Sequence, residues 1–134
     1  MKHTIETKTY YFDTDAEGVV YYANYLKWME MGRTELLESK GINLIELREK
    51  EGLVFPVKNL SISYHAPAKL YDAVIIETEL EGIKGVRFPF KQRILKKQGQ
   101  ILLVEGTLEL AAVDRASLKP KRLPDYLKKL DLKN

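Results

Sequence analysis

The chain has 134 residues and a formal net charge of +3, enough for one domain with a real core and short of the length at which cores divide. Its 22 Lys and Arg are scattered among 19 Asp and Glu, which excludes the concentrated basic stripe of a nucleic-acid binder and leaves small anionic molecules as partners. There is no cysteine and only two histidines, which removes disulfides, thiolate catalysis and Cys-type zinc sites, so no structural metal site is expected.

The segment from about His3 to Phe12 is rich in Thr and Tyr and alternates, with Ile5, Thr7, Thr9 and Tyr11 on one side, as a strand does. It ends on two carboxylates two residues apart, Asp13 and Asp15, and Gly18 follows. The period then changes. From Tyr22 to about Ser39, residues Tyr22, Tyr25, Leu26, Met29, Leu36 and Leu37 recur at three- and four-residue intervals, predicting a helix of about five turns that Gly41 stops. Arg33 falls inside the apolar stripe, between Met29 and Leu36. The helix must therefore bury it, and a buried guanidinium calls for a carboxylate such as Asp13 or one on another strand, with direct substrate contact as the alternative.

A second short helix is expected from Leu44 to Lys50, closed by Gly52, and the pattern is β thereafter. Strands are expected near Val54 to Tyr64 (Leu60, Ile62 and Tyr64 inward), Ala73 to Glu81 (Val74, Ile76 and Leu80 against Glu77, Glu79 and Glu81), Val86 to Lys96, and Gln100 to Val113. The connections at Gly82 to Gly85 and Lys97 to Gly99 suit antiparallel hairpins. Pro89 cannot donate to a ladder, which predicts a bulge there. Pro124 to Leu130 reads as a last amphipathic turn on the surface. One long helix and about five antiparallel strands make an α+β layer pair. On the last strand Leu102, Val104 and Leu108 oppose Ile101 and Leu103, a two-faced pattern that a subunit interface would explain. No linker or repeat interrupts residues 1–134, which read as a single domain. With no apolar run long enough to span a bilayer and no leader-like order at the N-terminus, the expected setting is soluble and cytoplasmic.

A carboxylate beside a glycine and a helix N-terminus combines a base or nucleophile with peptide N–H groups that hold negative charge, the parts needed for acyl transfer. Asp15 is the leading candidate, although an Asp before a helix also serves simply as a cap. Asp13 is expected to hold the loop or pair with a cation. Tyr22, Tyr25 and Trp28 suit either the core or the lining of an acyl pocket.

The run Asp13-Thr-Asp15-Ala-Glu-Gly18-Val-Val-Tyr-Tyr22-Ala-Asn24-Tyr25, with Arg33-Thr34-Glu35 late in the helix, resembles the signature of the 4-hydroxybenzoyl-CoA thioesterase family. Within it the run looks most like the small bacterial acyl-CoA thioesterases, including those associated with the Tol-Pal system. Tyr64-His-Ala-Pro67-Ala-Lys-Leu-Tyr-Asp72 resembles that family's second-strand turn. The resemblance implies a hot-dog fold, a five-stranded antiparallel sheet wrapped around one long helix. It implies hydrolysis of an acyl-CoA with Asp15 as catalytic carboxylate, an oxyanion-polarising backbone N–H at about Tyr22, no metal or organic cofactor, and a dimer or dimer of dimers. It places Lys84, Arg87 and Lys91 where the family contacts CoA phosphates, although cations flanking a hairpin also serve as solvated surface. Tyr22 stands where many relatives carry His and His65 where Arg is frequent, which bears on the substrate and not on the fold. The rivals are a hot-dog hydratase or dehydratase and a non-catalytic acyl-CoA-binding module. The hydratase is disfavoured because His3 and His65 lie outside the signature.

Overall fold

Strict alternation drives the sheet. In β4 (Ala73–Leu80) the residues Val74, Ile76, Thr78 and Leu80 are all buried, while their neighbours point the other way. The structure is a computed structural model that describes residues 2–129. Before β4 come β1 (Lys2–Lys8), a 3₁₀ turn at Tyr11–Asp13, α1 (Asn24–Ser39), α2 (Leu44–Glu51), β2 (Leu53–Val54) and β3 (Val57–Tyr64). After it come β5 (Arg87–Lys96), β6 (Ile101–Ala111), β7 (Val113–Asp114) and α3 (Asp125–Lys128). Five strands form one antiparallel sheet in the order β1-β4-β5-β6-β3, and β2 pairs with β7 in a separate two-stranded ribbon.

One face of the sheet packs on α1, where Tyr25, Trp28, Met29 and Leu36 meet Ile76, Leu80, Phe90, Ile94 and Leu108 in a single core. This is the hot-dog arrangement of helix and sheet. Gly32 sets the spacing: a Cβ there would lie 2.4 Å from Thr78 Oγ1 and 2.8 Å from Ile76 Cγ2. Beside it Gln92, 1% exposed, donates to Met29 O at 2.7 Å and Thr78 Oγ1 at 2.8 Å. The other face is charged, with Arg93 3.6 Å from Glu77 and Arg87 3.7 Å from Glu109.

Several boundaries differ from the sequence reading, each for a local reason. β1 stops at Lys8, because the Asp13 carboxylate captures the Tyr10 N–H and folds the chain into the 3₁₀ turn, leaving Tyr11 81% exposed. α1 starts at Asn24, two residues after Tyr22, since the Asn24 N–H bonds Tyr21 O in a preceding turn. The strand expected from Val54 divides around Phe55 and Pro56, and its second half is an edge on which Leu60 and Tyr64 are exposed.

Pro89 makes no bulge. It pairs in register with Glu109, and its carbonyl accepts the Glu81 N–H just past the end of β4, where the ladder no longer asks it for a donor. The irregularity falls between Ile94 and Leu95, opposite an extra residue, Leu103. That bulge buries Leu103 and Val104 together, so Leu103 is covered within the chain without a subunit interface. The Leu103 carbonyl accepts the His65 and Ala66 N–H groups, fixing the β3–β4 loop. The terminal turn is α3, where Leu127 is buried in the core, and Leu130 lies outside the described residues.

Candidate active site

The two carboxylates are built into the structure in opposite ways. Asp13 is 2% exposed, with Oδ2 accepting the Tyr10 N–H and Oδ1 paired with Lys27 Nζ, both at 2.9 Å. With both oxygens engaged, it serves as a post for the loop. The chain beyond it forms a narrow hairpin, in which the Asp15 N–H bonds Val19 O at 2.9 Å and the Tyr21 N–H bonds Asp13 O at 3.0 Å. Gly18 turns that hairpin with φ +80°, a conformation that favours glycine. Asp15 is exposed beside the turn. Its Oδ1 accepts the Glu17 N–H at 2.8 Å, and its Oδ2 has no partner among the described residues. The capping contact therefore occupies one oxygen and orients the other outward.

The return arm of the hairpin is held by the Val20 N–H on Ala68 O and delivers Tyr21, Tyr22 and Ala23 to the start of α1. Ala23 is the helix cap and supplies no side-chain acceptor. Neither Tyr22 nor Ala23 has a backbone acceptor for its N–H among the described residues, and Asn24 Nδ2 is a buried donor without an acceptor. A helix end left this bare concentrates positive partial charge.

Against this helix end lies a cleft of about 300 Å³ lined by Val20, Tyr22, Tyr25, Tyr64, His65, Ala66 and Pro67. Tyr64 crosses it: its hydroxyl donates to Tyr22 O at 3.1 Å, and its ring meets those of Tyr22 and Tyr25 at 6.4 and 5.7 Å. The Ala68 N–H donates to Tyr25 Oη at 2.9 Å. Burial pushes the phenols of Tyr25 and Tyr64 up, so both remain protonated at neutral pH. The sequence reading left Tyr64 and Asn24 without site roles. The signal for Tyr64 was the Tyr64-His-Ala-Pro67 turn, which forms one wall of the cleft.

Arg33 is buried as its place in the stripe requires, at 8% exposure. Its partner is not a carboxylate. Nη1 donates to Gln92 Oε1 at 3.0 Å, because Asp13 is already taken by Lys27 and the helix face beneath Arg33 meets the neutral Gln92 and Thr78. Burial pushes its pKa down, and Glu30 partly opposes this.

Lys84, Arg87 and Lys91 lie elsewhere in the same chain. Lys84 and Arg87 bond each other through their backbones at the β4–β5 turn, while Lys91 is exposed in mid-strand on the face turned away from α1. Asp15 stands at the other end of the sheet, and the 10 residues of β5 span roughly 30 Å. One chain does not bring these cations to Asp15.

Comparison with known proteins then decides the family, since the thioesterase-like superfamily matches residues 12–130. The chain belongs to that superfamily. It is 40% identical over 121 residues to an acyl-CoA thioesterase, YbgC, of Haemophilus influenzae, covering 90% of this chain and 88% of that protein. A probable thioesterase of Bartonella henselae superposes with a TM-score of 0.86 at 36% identity, covering 92% of this chain and 100% of that one. The DHNA-CoA thioesterase of Staphylococcus aureus superposes with a TM-score of 0.87 at 27% identity, covering 96% of this chain and 85% of that one. Among the described residues of this superfamily member, no helix is long and apolar enough to cross a membrane, and no group of three or more His, Asp or Glu could hold a metal ion.

Proposed function

We propose that this protein hydrolyses an acyl-CoA thioester to the free acid and CoA, with Asp15 as the catalytic carboxylate and the Tyr22 N–H polarising the thioester carbonyl. The near full-length similarity to an acyl-CoA thioesterase carries the reaction. The choice of Asp15 over Asp13 rests on its unpartnered, outward Oδ2. As general base, Asp15 takes a proton from water while the water oxygen adds to the carbonyl carbon; the C–S bond then breaks and the CoA sulfur takes the proton. As nucleophile, its oxygen displaces the thiolate directly and water opens the resulting anhydride. In both routes negative charge grows on the carbonyl oxygen, where a preorganised donor contributes about 3 kcal/mol.

Lys84 and Arg87 are at the wrong end of their own sheet for this Asp15, and Lys91 is in mid-strand on the face turned away from α1, so their proposed contact with CoA phosphates is made to the site of a second copy. The proposed assembly is a dimer or dimer of dimers, acting in the cytoplasm. A thiol-release assay with dithionitrobenzoate across short, long and aromatic acyl-CoAs tests the reaction. Release of thiol that depends on Asp15 is the expected result. Binding of acyl-CoA without release by the wild-type protein would favour a non-catalytic acyl-CoA-binding module instead.

A further inference from the structure

A second cavity lies along the C-terminal half of α1, away from the cleft. Its volume is about 420 Å³, it is partly open to solvent, and Leu37, Leu44, Leu53, Phe55 and Leu110 line it together with Arg33. That size falls in the range of small-molecule sites. Arg33 stands nine residues beyond Asn24 on α1, about 14 Å along the helix axis. The guanidinium has five N–H donors, of which Nη1 alone forms a hydrogen bond among the described residues, to the neutral Gln92. Nε and Nη2 are left without a protein acceptor among the described residues, and Arg33 lines the cavity. Glu30 and Arg48 stand at the same cavity, yet Glu30 is exposed and forms no ion pair with Arg33 among the described residues. A charge this deeply buried is costly unless an anion meets it. Here Glu30 acts on it only from a distance, no carboxylate forms an ion pair with it among the described residues, and it lines a largely apolar cavity.

We propose that this cavity binds an aliphatic carboxylate, its head group on Nε and Nη2 of Arg33 and its chain along Leu37, Leu44 and Phe55. A planar carboxylate matches the free edge of the guanidinium fork, and the apolar walls match an alkyl chain. Binding is independent of Asp15. Only a link to turnover rests on the proposed hydrolysis, because a carboxylate is the group that reaction releases. Two sources offer the same chemistry: a free acid, or the far end of an acyl group that itself carries a carboxylate.

Calorimetric titration of the intact protein with decanoate should show one saturable site per chain, with decanol at least about tenfold weaker. Arg33→Gln should weaken decanoate by a similar factor and leave decanol unchanged. Leu44→Trp fills the cavity from α2 without touching Arg33, and should abolish binding of both while circular dichroism shows a folded protein. Dodecanedioyl-CoA compared with dodecanoyl-CoA, titrated in an Asp15→Asn background, reports the second source: a preference for dodecanedioyl-CoA that Arg33→Gln removes assigns the carboxylate to the acyl group. Decanoate and dodecanedioyl-CoA affinities unmoved by both Arg33→Gln and Leu44→Trp would overturn the site. Equal affinity for decanoate and decanol, with no preference for dodecanedioyl-CoA, would overturn its anionic character. The decanoate arm involves no turnover, so failure of the hydrolysis reading leaves it standing.

Discussion

Asp13 and Asp15 share a residue type and differ in everything that decides chemistry. Asp15→Asn preserves size and the Glu17 contact and removes the charge that a base or nucleophile needs, so kcat should fall by about 10²-fold or more with the fold intact. Asp13→Asn should do the reverse in emphasis. Loss of the Lys27 pair should cost about 1 kcal/mol of stability, visible as a lower Tm, with a smaller effect on turnover. Thiol release and thermal melts on the two variants check both; full turnover in Asp15→Asn would remove the mechanism. The sequence indicated Asp15 through its glycine and the helix that follows, but not the reason for preferring it. That reason is a matter of which oxygens are occupied, and it appears only once Lys27 and Tyr10 close on Asp13 from opposite sides. Arg33 shows the same limit: helical spacing correctly buried it, whereas its partner depended on Gln92 in β5, 59 residues away along the chain.

At the scale of elements, long periodic stretches were the legible part. α1, α2 with its Gly52 cap, and the β4, β5 and β6 strands lie where period and turn chemistry put them. Their ends were not, because ends are set by single side-chain contacts such as Asp13 on Tyr10 N–H. Pro89 was misread because a proline's cost depends on which side of a strand its missing donor faces. Gly32 offers a test of helix-to-sheet spacing. Gly32→Ala adds helix propensity of about 1 kcal/mol, yet its methyl would meet Thr78 and Ile76, so the net effect should be destabilising by roughly 1–3 kcal/mol in denaturant titration. The turn after β7 makes a pH prediction. The N–H groups of Ser117 and then Ala116 hold the Asp114 carboxyl below its usual range. A depressed carboxyl stabilises the folded state above its unfolded pKa, so this contribution is present at neutral pH and lost as the pH falls through the lowered value. The amide resonances of residues 116 and 117 should titrate together there, and Asp114→Asn should abolish the step.

The whole molecule presents two unlike sheet edges. β3 pairs with β6 on one side only and exposes Val57, Leu60 and Tyr64 along its outer edge, the sort of edge that another chain covers. Sedimentation at micromolar concentration should show a species heavier than the 15.5 kDa chain, and Leu60→Glu should shift it toward the monomer. A wild-type protein that sediments only as a monomer would refute the proposed assembly. The outer edge, β1, alternates differently: Lys2, Glu6 and Lys8 are its exposed residues together with Thr4. Charges on an edge discourage any further strand from adding. If two copies join through β3, the single inviting edge on each is consumed and only two guarded β1 edges remain outside. Growth by strand addition then terminates at two, so the protein can keep an adhesive edge strand at high cellular concentration without seeding an open-ended fibre.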